Sequence, residues 1–143
     1  MSLIRSSQKE DLLKKVPLFS SLSKRHLREI GKHADQVQVG TGKVLAEQGK
    51  TGWEFFFIVE GEARVKKDGK VIGHLSGGDF FGEISLIDGK PRIASVTAET
   101  DMTALVVHKT SFDYLLNRIP GLQKKILISL CDYLRRTEKT MDI

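Results

Sequence analysis

Apolar positions fall into three zones with different periods. Up to about His33 the spacing is helical: Leu27, Ile30 and Ala34 follow Ser23, whose hydroxyl predicts an N-cap. Ahead of them, Val16-Pro17-Leu18-Phe19 predicts an apolar hook between two short helices, since Pro17 cannot sit inside one. From Asp35 to His108 the pattern turns β-like. Val37 and Val39 alternate with polar neighbours, Trp53 to Val59 is aromatic and β-branched, and Ala63 and Val65 alternate with Glu62, Arg64 and Lys66. Turn signals recur at Gly40-Thr41-Gly42, Gly49 to Gly52, Glu60-Gly61, Asp68-Gly69 and Gly77-Gly78-Asp79. The last zone is helical again. A short helix over Ser111 to Arg118 ends near Pro120. A longer one from about Leu122 to Lys139 carries the stripe Leu122, Ile126, Leu127, Leu130, Cys131 and Leu134 at a period near 3.6.

These zones predict a mainly β domain with flanking helices. Many short strands with close turns imply an antiparallel β jelly-roll barrel. One domain is expected over residues 1–143: helical over 8–34, β over 35–108 and helical over 111–140. With 40% hydrophobic residues the chain has the material for a packed core.

Composition then removes several functional classes. The longest apolar run, Phe55 to Val59, is far too short to span a bilayer. Met1 to Glu10 lacks the apolar core of a signal peptide, so a cytoplasmic location is expected. Cys131 is the only cysteine, which rules out an internal disulfide, a cysteine metal cluster or an iron–sulfur centre. His26, His33, His74 and His108 have no paired spacing and read as surface or strand-end residues. Neither a metal cluster of cupin type nor a Ser/His or Cys/His pair is visible, and no enzymatic activity or cofactor is expected. Cys131, on the helical stripe, reads as packing. The charge of +5 is scattered and reads as a solvated basic surface.

One stretch, Gly77 to Ser95, breaks the β pattern. Glu83 to Leu86 predicts a single helical turn between strands, whose start after a glycine exposes free backbone N–H groups. Those groups and the positive end of the turn suit a phosphate. Arg92, expected on the following strand past Gly89 and Pro91, can pair with the same phosphate at two points. Glu83 offers an acceptor for a sugar hydroxyl. The residues alone leave a second reading open: a helical insertion whose Glu83 and Arg92 form a surface ion pair worth little.

The same stretch resembles the phosphate-binding cassette of cyclic nucleotide-binding domains, approximately F-G-E-[LI]-[AS]-L followed by P-R-x-A-[ST]-V. The matching residues are Phe81-Gly82-Glu83-Ile84-Ser85-Leu86 and Pro91-Arg92-Ile93-Ala94-Ser95-Val96. The likeness extends upstream through Glu47-Gln48-Gly49 and Phe57-Ile58-Val59-Glu60-Gly61, and covers about Pro17 to Lys139. Such domains occur in the catabolite activator protein, in protein kinase A regulatory subunits and in cyclic nucleotide-gated channels. The resemblance implies a jelly roll with N-terminal helices, a short cassette helix and two C-terminal helices.

It also implies roles. Phe81 belongs to the cassette, and Gly82 lets the backbone approach the ligand. Glu83 accepts from the ribose 2′-OH, and the Ile84 and Ser85 N–H groups donate to the phosphate oxygens. Arg92 neutralises the phosphate and Ala94 leaves room beside it. Val65, Ile72 and Leu75 fall where the family lines the base, though they read equally as barrel core. Trp53 reads as a core or rim aromatic. Ile93 occupies the position where cGMP binders tend to have Thr; lacking a hydroxyl, it favours cAMP, with cGMP the alternative. Leu130, Tyr133, Leu134 and Thr137 are candidate lid residues. Their stripe also suits plain core or a homodimer seam. The effector, whether a fused domain or a separate protein, is unidentified. No helices past Ile143 are there to form a DNA-binding helix-turn-helix, and no DNA-binding domain is expected in this chain. A module that keeps the fold but has lost its ligand is the rival reading.

Overall fold

The computed structural model describes residues 3–16 and 18–137, with side chains to residue 136. Two helices, α1 (Ser6–Lys14) and α2 (Lys24–Lys32), precede eight strands. These are β1 (Asp35–Val39), β2 (Val44–Ala46), β3 (Glu54–Glu60), β4 (Glu62–Lys67), β5 (Lys70–Ser76), β6 (Phe80–Phe81), β7 (Ser95–Ala98) and β8 (Met102–His108). A short helix, α3 (Glu83–Asp88), interrupts them between β6 and β7. Helices α4 (Lys109–Arg118) and α5 (Leu122–Thr137) follow. Ser23 caps α2 as its sequence implies, accepting from the His26 N–H at 3.2 Å.

The strands form two antiparallel four-stranded sheets, β1-β8-β3-β6 and β2-β7-β4-β5. The jelly-roll expectation fits. The barrel does not close, however: the two sheets stack as a sandwich. Val39, Ile58 and Met102 of the first sheet pack between them against Ala46, Ala63, Val96 and Ala98 of the second. The first sheet is covered on its other face as well. There Phe55, Phe57, Leu105 and Val107 meet Leu13, Leu27, Ile30, Phe112, Leu115, Leu122 and Ile126 from the helices. Burial on both faces explains why β3 and β8 read as continuous apolar runs rather than alternating ones. Phe55 lies at the centre, with its ring 5.8 Å from Phe112, 5.7 Å from Phe80 and 6.3 Å from Phe19. Val16, Leu18 and Phe19 of the hook are buried; Pro17 lies outside the described residues.

The last helix departs from expectation. Its stripe has the right period, but only Leu122 and Ile126 are buried, with Leu130 packed partly against them. Leu127 is 61% exposed, Leu134 is 49% exposed, and Cys131 is exposed rather than packed. The apolar cluster that receives α5 ends after two turns, so the same period continues into solvent. Trp53, at 53% exposure, is a surface residue and not core. Among the described residues no helix is long and apolar enough to cross a membrane.

Burial along α5 yields a direct contrast. Ile126→Ala is expected to cost about 2–5 kcal/mol of stability and Leu127→Ala to stay within about 0.5 kcal/mol of the parent. Urea denaturation of the two variants measures the difference. Equal losses would mean that α5 is seated by a different face.

Candidate functional site

Gly82 and Gly89 set α3 off from the strands around it. Gly82, the N-cap residue, has φ +103°, and Gly89 closes the helix at φ +70°. A Cβ at Gly82 would lie 2.6 Å from the Glu54 carbonyl oxygen and 2.7 Å from Arg92 Nη1. Both the backbone twist and the crowding therefore demand glycine. The first N–H groups of α3 have no partner within the helix, and Glu83, Ile84 and Ser85 line a cavity of about 520 Å³. That volume lies in the range of about 300–1,000 Å³ usual for small-molecule pockets.

Arg92 closes one side of the cavity from the loop before β7, not from a strand as expected. It is only 6% exposed. Its Nη1 donates to the Gly82 carbonyl at 3.2 Å and its Nη2 to the Glu54 carbonyl at 2.8 Å. Its backbone N–H donates to Lys50 O at 2.8 Å, and its own carbonyl accepts from Gly49 N–H at 2.9 Å. The turn over 49–54 thus grips both the main chain and the side chain of Arg92. Gly52 completes this seat, because any Cβ there would overlap the guanidinium. Burial lowers the guanidinium pKa, while the Glu54 and Glu83 carboxylates oppose that shift. Arginine stays charged under such a balance.

Glu83 faces the same space. Its Oε2 is buried and has no hydrogen-bond partner. Burial pushes the carboxyl above its ordinary value of 4.5, opposed by its own backbone N–H and by Arg92. Glu83 and Arg92 are therefore not the exposed ion pair that the residues alone allowed. Each is held apart from water, the arginine by main-chain carbonyls.

The cavity lining brings together Phe81, Gly82, Glu83, Ile84, Ser85, Arg92, Ile93 and Ala94 with Val65, Ile72 and Leu75. Its outer edge is the helix face Ser129, Asp132, Tyr133 and Arg136. Of the candidate lid residues only Tyr133 lies on that face; Leu130 turns toward the core, Leu134 is not in the lining, and the Thr137 side chain lies outside the described residues. Ser129, Asp132 and Arg136 were not anticipated, nor were the Glu54 carbonyl and Gly52. The helical period groups the first three with Tyr133, but nothing local says which face meets the cavity. Main-chain carbonyls carry no residue signature at all. Among the described residues no group of three His, Cys, Asp or Glu side chains is placed to hold a metal ion.

An apolar pocket in a jelly roll, with a cationic side chain and free helix N–H groups at one end, defines a small-ligand-binding domain suited to an anionic ligand. The chain belongs to the cyclic nucleotide-binding domain family, whose pattern it matches over residues 36–119. It is 37% identical over 116 residues to a cAMP-dependent protein kinase regulatory subunit of Schizosaccharomyces pombe, covering 80% of this chain and 28% of that protein. It is 36% identical over 115 residues to a cyclic nucleotide-gated potassium channel of Rhizobium etli, covering 80% of this chain and 32% of the channel. The crystal structure of Thermus thermophilus catabolite activator protein superimposes with a TM-score of 0.82 at 25% identity, over 88% of this chain and 62% of that one. The chain thus spans about a third or less of the two sequence relatives.

The burial of Arg92 ties its guanidinium to the fold as well as to the cavity. Arg92→Ala strips partners from the Gly82 and Glu54 carbonyls and is expected to cost about 1–3 kcal/mol in urea denaturation of the ligand-free domain. An unchanged midpoint would show that water replaces the guanidinium without loss.

Glu83 gives a pH dependence whose sign follows from burial. A carboxyl with a higher pKa folded than unfolded keeps its proton better in the folded chain. Stability therefore falls as pH rises from about 4.5 through the raised value. Glu83→Gln is expected to be more stable than the parent at pH 7, with the advantage gone below pH 4.5. Thermal melts across that range test this; a constant difference at every pH would place the carboxyl in water.

Proposed function

We propose that the chain is a cytoplasmic regulatory module without catalytic activity that binds a cyclic nucleotide, cAMP in preference to cGMP. The observation that carries this reading is the juxtaposition at one end of an apolar cavity of buried Arg92, the free N–H groups of α3 and the unpartnered Glu83 oxygen. A cyclic phosphate supplies the charge that Arg92 and the α3 N-terminus call for. The ribose 2′-OH supplies the donor that Glu83 Oε2 lacks. Val65, Ile72 and Leu75 offer an apolar wall to the purine. Names among the relatives support the choice of ligand, since the fission yeast protein is a cAMP-dependent kinase regulatory subunit. Ile93 lies at the cavity edge with no hydroxyl to offer a guanine. Signal transfer runs from the cavity through α4 and α5 to an effector, fused or separate. A homodimer through the exposed stripe of α5 is compatible with this reading.

Calorimetric titration with cAMP and cGMP is the decisive measurement. Saturable cAMP binding, tighter than cGMP, is expected, and absence of both would leave the rival, a ligand-free module. Arg92→Ala is expected to weaken cAMP binding by about 2–5 kcal/mol, as for truncating one partner of a buried charge pair. Ile93→Thr is expected to narrow the cAMP–cGMP gap several-fold, since one neutral hydrogen bond contributes about 0.5–1.5 kcal/mol. An unaltered cGMP affinity would assign base selection to other residues, with the α5 face first among them.

A further inference from the structure

Lys109 is the first residue of α4, and it bonds to two other parts of the fold as well as to its own helix. Its backbone N–H donates to the Trp53 carbonyl at 2.8 Å. Trp53 sits between Gly52 and Glu54, two of the residues that seat the Arg92 guanidinium. The Lys109 ammonium donates to the Leu86 carbonyl at 3.1 Å and to Asp113 Oδ2 at 3.0 Å. Leu86 lies in the last turn of α3, where carbonyls have no partner within the helix. A cation there satisfies the carbonyl and the negative end of the helix together. Asp113, one turn along α4, holds the ammonium over that carbonyl.

From this placement, and resting on the ligand reading above, we infer that Lys109 is the positioning residue that transmits occupancy of the cavity to α4 and so to α5. A ligand loads two parts of the site: the N-terminus of α3 and Arg92. α3 has only six residues, so a displacement of its start that keeps its helical bonds also displaces the Leu86 carbonyl at its end. Displacement of Arg92 reaches Glu54 and, one residue back, the Trp53 carbonyl. The two routes converge on Lys109, after which the chain runs directly into α4. An apolar route runs alongside, since Leu86 shares a buried cluster with Phe112 and Leu115 of α4. The polar strap differs from it in direction, because hydrogen bonds fix the end of α3 relative to the start of α4 where apolar contacts permit sliding.

Lys109→Met tests the strap. It keeps the stem, the backbone bond to Trp53 and the Leu86 packing, and removes only the ammonium contacts. Segment-resolved amide exchange is measured with and without saturating cAMP, beside a calorimetric titration. In the parent, cAMP is expected to slow exchange in both α3 and α4. In Lys109→Met, affinity is expected to change by less than about fivefold, the scale of one half-exposed ion pair. Protection of α3 should persist while that of α4 is lost, and Lys109→Arg should restore it. Full α4 protection in Lys109→Met would overturn the inference and leave the apolar route as the transmitter. If cAMP protects nothing in the parent, the ligand reading fails and the transmission inference falls with it. Equal α3 exchange in ligand-free Lys109→Met and parent overturns the strap separately, by showing that the ammonium contacts do not hold α3.

Discussion

A charged guanidinium buried at the edge of a sandwich is the constraint on which the site depends. Arg92 has to be withheld from water to act strongly on an anion, yet a buried charge without partners is costly. The chain meets this with main-chain carbonyls rather than a carboxylate: Glu54 O and Gly82 O each accept from one terminal nitrogen. Carbonyl dipoles hold the charge without neutralising it, so the guanidinium keeps its attraction for a phosphate. Glycine at 52 and at 82 follows from the same requirement, because a side chain at either position would occupy the space of the guanidinium.

That seat in turn depends on the first sheet. Gly82 follows β6, which pairs with β3, and Glu54 opens β3. Both acceptors are therefore fixed by a strand covered on both faces, with Phe55, Phe56, Phe57 and Ile58 buried in succession. The second sheet is freer. Its strand β5 is largely exposed outside and offers Ile72 and Leu75 to the cavity inside. The doubly covered sheet holds the charged end, and the sheet with an exposed face lines the apolar end. This division suits a site that fixes an anion and leaves room for the remainder of its ligand.

The helical layer takes its order from the same core. α4 packs through Phe112 and Leu115, and α5 through Leu122 and Ile126. Beyond Ile126 only Leu130 still packs partly against this core, and α5 continues along the cavity mouth with Ser129, Asp132, Tyr133 and Arg136 toward it. A helix anchored at one end and polar toward a cavity at the other has little apolar area holding it closed.

By itself the sequence determined the features encoded over a few residues. These are the three zones, the Ser23 cap, the turns, the double-sided apolar run of β3 and the Gly82-Glu83 to Pro91-Arg92 spacing of the anion cradle. All but the last rest on local rules of periodicity, capping or turn geometry, which tertiary packing did not override; the cradle was legible through its resemblance to the cassette pattern. Tertiary structure alone decided which carbonyls receive Arg92, since Glu54 stands 38 residues away and a carbonyl looks the same in every residue. It decided that the stripe of α5 is buried for only two turns, because the extent of the facing core is not written in the helix. It also brought Lys109 to the end of α3 across 23 residues. A lysine beginning a helix has no local property that announces this, and its meaning comes only from the elements that the fold places within reach of its ammonium.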